Sequence, residues 1–366
     1  MTFGENARRK IVPLCLGTLI CALSACGTGA SGQGGAKSTA TTKPTATVAA
    51  PTLAKASVTY NGHGAAVVGL AWSPDGKRIA TAGDDATVQV WDATTGANVW
   101  TFKVPCTCKT DFTWAVAWSP DGKMVAAGGY NGTVNFLDGA TVHKLSSYDT
   151  ASAFIEGIAW SPDGKRLAVG DVDKEVQIVD VATAKKVLTY SHHTAAVSRV
   201  AWSPDGTKIA SASADGTAQV WDATTGRQLL SYNAQSVAVW SVAWSPDGKT
   251  LASGTGAAGG DYPIPAKNSA AIWDAATGKT LLTYTGHGDK GNVRGLAWSP
   301  NGKLMASGAD DNTARIWDPT TGKTLLVFTG HTDMVWSVAW SPDGTKIASA
   351  SQDGTAQVWA APAGGA

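Results

Sequence analysis

The chain has 366 residues, with 29 Lys and Arg against 28 Asp and Glu, 42 Gly, 16 Trp and only 6 Phe. Charged residues are 16% of it, against about 25% in ordinary domains. Only Glu5, Glu156 and Glu175 are glutamates, which excludes long solvent-facing helices laced with Glu–Lys pairs and points to strands and turns. Setting aside Arg8, Arg9, Lys10 and Glu5 leaves 26 basic and 27 acidic groups, so no electrostatic footprint for nucleic acid remains.

Residues 1–25 read as an export signal. Arg8, Arg9 and Lys10 precede an apolar run, IVPLCLGTLICALSA, too short to cross a bilayer comfortably as a mature helix. Arg8-Arg9 also fits a twin-arginine signal loosely. The run ends in Leu23-Ser24-Ala25-Cys26, which resembles the lipobox of bacterial lipoproteins. That resemblance implies cleavage before Cys26, acylation of its thiol and a place on the outer side of the bacterial cell membrane. Two or more acyl chains would hold it there stably, at ~0.8 kcal/mol per buried methylene. A plain cleaved signal, with Cys26 incidental, is the alternative. Residues 26–54 are rich in Gly, Ser, Thr, Ala and Pro, bury too little to order themselves, and are expected to form a disordered tether.

A string close to Ala-Trp-Ser-Pro-Asp-Gly then recurs, its Trp at positions 72, 118, 160, 202, 244, 298 and 340. Apolar alternation on both sides of Ser-Pro-Asp-Gly predicts strand, tight turn, strand. Nineteen residues after the first Trp comes a second landmark: Trp91-Asp92, Leu137-Asp138, Val179-Asp180, Trp221-Asp222, Trp317-Asp318 and Trp359. Trp273-Asp274 is displaced by ten extra residues. An Ala-Thr-Thr-Gly-like turn and another strand follow each landmark except the last. Repeats of about this period are those of a four-stranded propeller blade.

Over residues 55–360 the chain resembles the WD-repeat family. The resemblance rests on the Trp-Asp pairs, with Trp359-Ala360 as a half match, and on Gly62-His63, Gly286-His287 and Gly330-His331. It implies an all-β, seven-bladed propeller of four-stranded antiparallel blades. Trp stands where the family usually has Phe in the Ser-Pro-Asp-Gly strand, and units two and three lack the Trp-Asp landmark. The last unit lacks an outer strand, and Ala56 to Tyr60 is a strand without a unit. The two are therefore expected to pair and close the ring, leaving residues 361–366 as a disordered tail.

Ala precedes every repeat Trp (Ala71, Ala117, Ala159, Ala201, Ala243, Ala297, Ala339), so one blade face is small and the other carries Trp. Large side chains of one blade can nest on the small face of its neighbour.

Four units place a hydroxyl, His, Asp and Trp in register: Thr81, His63, Asp85 and Trp91; Ser211, His193, Asp215 and Trp221; Ser307, His287, Asp311 and Trp317; Ser349, His331, Asp353 and Trp359. These residue types make nucleophilic triads. A network repeated four times is read instead as a buried staple: indole to hydroxyl, hydroxyl to imidazole, imidazole to carboxylate. No catalytic residue, cofactor or metal is assigned. Units two and three lack the network, and unit five has Lys267 in place of its Asp, so these blades are expected to be softer.

Gly254, Gly256 and Gly259 spell a GxGxxG string, but no helix follows, so phosphate binding is not expected. Asp171, Asp173 and Glu175 read as a solvated turn. Cys106 and Cys108 leave a strained disulfide, two free thiols or a soft-metal site open.

Length varies around Cys106 to Asp111, between Gly254 and Asn268, and near Asp289 and Lys290. All three places fall at one mouth of the ring, the candidate binding surface. Near its rim, four residues before each repeat Trp, stand Val68, Trp114, Glu156, Ser198, Trp240, Arg294 and Trp336. Trp114, Glu156, Trp240, Arg294 and Trp336 are the candidate partner-binding residues, since Trp and Arg are enriched among hot spots. A plainer role is to cap the interblade core, because the position shares the parity of the buried Trp.

The reading is a lipid-anchored, non-enzymatic scaffold for other proteins, monomeric, without nucleic-acid partners. Two rivals remain. The strings WDAATGK and WDPTTGK with a Cys pair are reminiscent of quinoprotein dehydrogenase propellers, although those have eight blades and adjacent cysteines. A small-ligand binder at the channel mouth is the other.

Overall fold

In the first repeat, Ser73 Oγ accepts the N–H of Arg78 at 2.9 Å and donates to Asp75 Oδ1 at 2.6 Å. Gly76, at φ 68°, supplies the left-handed residue that closes this turn. The Asp of the Trp-Asp landmark does equivalent work one turn later: Asp92 Oδ1 accepts the N–H groups of Thr94 and Thr95 at 2.9 and 2.8 Å. Each unit is thereby folded into a meander, as in blade one: Val67–Trp72, Arg78–Gly83, Thr87–Asp92 and Asn98–Lys103. The computed structural model describes residues 51–105, 112–233, 238–256, 269–288 and 291–365, and in it the strands form seven sheets. The signal segment with Cys26, the Cys106–Cys108 pair, Lys267 and Gly259 lie outside the described residues.

The ring closes as expected. Ala56–Tyr60 pairs antiparallel with Ala356–Ala360, setting Ala56 opposite Trp359 and Tyr60 opposite Ala356, and completes blade seven. Two boundaries differ from the sequence reading. Thr52–Ala54, assigned to the tether, is a strand that pairs parallel with Thr324–Phe328 and adds a fifth strand to blade six. The chain thus crosses the outer edges of two adjacent blades before entering blade one. The tail is also placed: Ala361 N–H donates to Thr345 O at 2.9 Å, and Gly365 is buried. A Cβ on Gly365 would lie 2.5 Å from the Trp340 ring, so only glycine lets the tail approach that closely.

Blades pack large on small, and the large side chain faces backward along the chain. Trp118 of blade two shares a core with Ala80 and Ala82 of blade one, and Trp72 of blade one shares one with Ala348 and Ala350 of blade seven. Replacing Phe by Trp at this position adds a donor. Trp160, Trp202 and Trp340 Nε1 donate to the carbonyls of Ala117, Ala159 and Ala297 in the preceding blade at 3.1, 3.0 and 3.1 Å. Trp118 Nε1 has no partner among the described residues. A second set of contacts joins outer strands to the next blade. Tyr190 stacks on Trp221, Tyr232 on Trp273, Tyr284 on Trp317 and Phe328 on Trp359, with ring centres 4.2 to 4.9 Å apart. Blades two and three carry Leu137 and Val179 in place of the landmark Trp, so this stacking is missing at their junctions.

Candidate functional site

The innermost strand of every blade carries one β-bulge, and it falls at the same place each time. In blade two Thr113 pairs with Gly129 and Ala115 with Gly128, leaving Trp114 as the extra residue. The same slip passes over Val68, Glu156, Ser198, Trp240, Arg294 and Trp336. These are the seven positions singled out in the sequence. Alternation assigned them the parity of the buried Trp, but a bulge breaks that alternation and re-aims its side chain. Trp114, Glu156, Trp240, Arg294 and Trp336 are partly exposed, whereas Val68 and Ser198 are buried.

Several of these side chains form one continuous arc. Phe112 meets Tyr130, Tyr130 meets Phe154, and Phe154 meets Trp114 edge to face, with ring centres 6.2, 6.1 and 4.7 Å apart. Trp114 then reaches Trp336 of blade seven at 5.9 Å, past blade one, whose own bulge residue is the buried Val68. Beyond Trp336 the Arg294 guanidinium lies between two indoles, 4.8 Å from Trp336 and 4.5 Å from Trp240. In its own plane Arg294 grips Asp310, Nε to Oδ1 at 2.8 Å and Nη2 to Oδ2 at 2.9 Å. Its faces and its edge are therefore both engaged, and it acts here as a spacer that fixes the two tryptophans. The other indoles are pinned by their edges: Trp114 Nε1 donates to Asp84 Oδ1 at 2.7 Å and Trp336 Nε1 to Gln352 Oε1 at 2.9 Å. Trp240 Nε1 is buried without a partner among the described residues. Side chains held this way lose little further rotamer freedom on binding.

Charge beside the arc is muted. Burial pushes the Glu156 carboxyl up to about 7; Arg199 opposes this and Asp171 adds to it. Burial likewise raises Asp171 to about 6, against the N–H groups of Glu175 and Asp173 on its Oδ1. The Arg199 guanidinium donates to two backbone carbonyls, of Glu156 and Ser198, both at 2.9 Å.

The four imidazoles occupy the staples expected for them. Nδ1 of His63, His193, His287 and His331 meets Asp85, Asp215, Asp311 and Asp353 at 3.0, 2.8, 3.0 and 2.9 Å. Their Nε2 atoms meet Thr81, Ser211, Ser307 and Ser349 at 2.9, 2.7, 2.7 and 2.8 Å. All four hydroxyl residues are 0% exposed, so the would-be nucleophiles have no access to solvent. The indole arm of the staple is only partly as expected. Trp317 and Trp359 Nε1 donate to Ser307 and Ser349 at 3.1 and 3.3 Å, but Trp91 and Trp221 Nε1 have no partner among the described residues. Blade five keeps that arm without the rest, Trp273 Nε1 donating to Ser253 Oγ at 3.1 Å.

Gly254 and Gly256 do not form a phosphate loop: both lie in the strand Thr250–Gly256, opposite Ser241 and Ala238. Among the described residues no group of three or more His, Cys, Asp or Glu side chains is placed to hold a metal ion. Sequence reasoning missed Phe112, Tyr130 and Phe154, and the acceptors Asp84, Asp310 and Gln352. Phe112 and Phe154 stand two residues before their bulges, and Tyr130 opens the turn after the second strand, so a scan of each repeat position for aromatics would have found all three.

Comparison with protein-family models matches residues 67–241 to the second β-propeller of echinoderm microtubule-associated protein. Residues 226–261, 278–318 and 322–360 match the WD domain, G-beta repeat. A search of curated proteins found no match.

Proposed function

We propose that this seven-bladed propeller of WD40 repeats is a non-enzymatic docking platform that binds partner proteins across its aromatic mouth, held outside the membrane by a lipid on Cys26. One observation supports the docking role above others: seven bulges at one repeat position lift Trp114, Trp240, Arg294 and Trp336 out of the sheet alternation and set them in a braced, partly exposed arc. Large aromatic surfaces rimmed by polar groups mark protein interaction sites, and preorganised Trp and Arg anchors dominate their energetics. The matched family's name attaches a propeller to a microtubule-associated protein, which supports a protein as the class of partner. The anchor rests on the Leu23-to-Cys26 string.

The test is photo-crosslinking in cells from a benzoylphenylalanine placed at Phe112. A partner should be captured by the otherwise wild-type protein, and capture should fall at least tenfold in Trp114→Ala and Trp336→Ala variants that keep the wild-type unfolding midpoint. Capture undiminished in both folded variants would refute the docking role. Replacing Cys26 by Ser should release the protein from the membrane fraction, and retention there would refute the anchor.

A further inference from the structure

At the opposite mouth, the residue five places after the Ser of each Ser-Pro turn is Arg78, Met124, Arg166, Lys208, Thr250, Leu304 and Lys346 in blades one to seven, and in several blades it covers the repeat Trp of the next. In blade one the Arg78 guanidinium lies over the Trp118 indole, 4.9 Å from its centre, while Nη1 donates to Gly139 O at 2.7 Å. Blade three repeats this. Arg166 lies 4.7 Å over Trp202, and its Nη1 and Nη2 donate to Ala223 O at 3.3 Å and Gly206 O at 3.5 Å. Met124 and Leu304 share the cores of Trp160 and Trp340 as apolar lids.

Blade five breaks the series. Thr250 is too short to cover Trp298, and Trp298 is the one repeat tryptophan that is not buried. A cleft of about 640 Å³ opens there, lined among others by Asp247, Thr250, Leu281, Trp298, Gly302 and Pro319, a size within the ~300–1,000 Å³ usual for ligand sites. Gly302 and Pro319 hold in blade six the places that Gly206 and Ala223 hold in blade four, the residues whose carbonyls receive the Arg166 guanidinium. The lining includes one carboxylate, Asp247, and neither Lys nor Arg.

We propose that this cleft receives an arginine side chain presented by a partner protein. The guest guanidinium lies over Trp298 and donates to the Gly302 and Pro319 carbonyls, the place that Arg166 fills from within the chain between blades three and four. Arginine suits it where lysine does not, because a planar fork can stack on the indole and reach two carbonyls at once. Asp247 supplies complementary charge, and Leu281 and Ile272 offer an apolar wall to the neighbouring residue of the guest. The cleft is separate from the aromatic arc, so either site can fail without the other.

Calorimetric titration of the purified protein with acetyl-Arg-Leu-amide tests this, alongside the citrulline and lysine peptides and free L-arginine. The arginine peptide should bind saturably with a Kd of roughly millimolar or tighter, and the citrulline and lysine peptides at least tenfold more weakly. Free arginine, lacking the residue that meets Leu281, should also bind more weakly. Thr250→Arg should abolish binding and raise the unfolding midpoint by filling the slot in cis. Thr250→Met, the lid of blade two, should abolish binding as well. No saturable binding to the wild type, equal binding of the citrulline peptide or of free arginine, or binding that survives in a folded Thr250 variant would overturn the proposal.

Discussion

Tyr60 and Trp91 lie face to face, ring centres 4.8 Å apart and planes 4° apart, although Tyr60 belongs to the strand that completes blade seven and Trp91 to blade one. The Tyr60 hydroxyl also donates to Gln89 Oε1 of blade one, and Asn98 Nδ2 donates to that hydroxyl at 2.8 Å. The strand that closes the ring by backbone pairing on one blade is thus locked by a side chain into the next. Tyr60→Ala removes a side chain that is 4% exposed and should cost about 3–5 kcal/mol. Tyr60→Phe keeps the stack and should cost about 1 kcal/mol. Urea unfolding of the two variants checks this, and equal stability of Tyr60→Ala and wild type would contradict the closure described.

The imidazole staples make the fold sensitive to acid. Burial alone would raise the Asp85 carboxyl, but hydrogen bonds and charge from His63, with further bonds from Thr87 and the Gly64 N–H, outweigh it and hold it at about 2. Asp215 and Asp353 are likewise held well below the usual carboxylate range, against burial, chiefly by His193 and His331. A carboxylate with a depressed folded-state value stabilises fully above its unfolded value near ~4 and loses that contribution as pH falls through the folded value. Stability should therefore decline from about pH 4 towards pH 2, with Asp85 alone contributing about 2 kcal/mol. Asp215→Asn should flatten the decline; an unchanged pH profile in that variant would remove the staple from the account.

Glu156 works in the opposite sense. Its folded-state value, raised by burial to about 7, exceeds its unfolded value near ~4.3. Its contribution is present below the unfolded value and is lost as pH rises through the folded one. Glu156→Gln should remove this loss, so that the variant gains on the wild type between about pH 5 and 8. Thermal midpoints across that range measure it, and parallel curves would show that Glu156 is solvated.

Asn135 marks the weak blade. It is 1% exposed, and neither its Nδ2 nor its Oδ1 finds a partner among the described residues. Blade three places Gln177 there instead, whose Nε2 reaches Thr150 O at 3.1 Å and whose Oε1 accepts from the Tyr148 hydroxyl. An unpaired buried amide costs roughly 1–3 kcal/mol, so Asn135→Leu should stabilise the protein by about 1–2 kcal/mol. Hydrogen exchange in blade two should slow in the same variant. Destabilisation would mean that Asn135 is paired in solution.

Blade count, turn chemistry and the imidazole staples were legible because each is written in every repeat, and ring closure because one unit lacked a strand and one strand lacked a unit. Ser73 with Asp75, and Asp92 with Thr95, are encoded within five residues of one another. Contacts whose register or partner leaves no count in the repeats were not legible. The bulge at Trp114 depends on register against Gly128 and Gly129, so periodicity read along one strand left the core-cap reading open beside the rim reading. Thr52–Ala54 looked like tether because three residues carry no pattern, and its partner strand lies more than 270 residues away. The bracing of Arg294 by Asp310 was hidden for a related reason. Arginine at an exposed rim suggests a free hook, and only the fold shows both its faces and its edge already engaged.

The aromatic mouth is tested most directly by the affinity of a crosslinked and purified partner for three variants: Trp336→Ala, Trp114→Ala and, from the opposite mouth, Lys77→Ala. The account predicts at least tenfold weaker binding, about 1.4 kcal/mol or more, for each tryptophan variant and no change for Lys77→Ala. Equal affinity across all three, with folding intact, would contradict it.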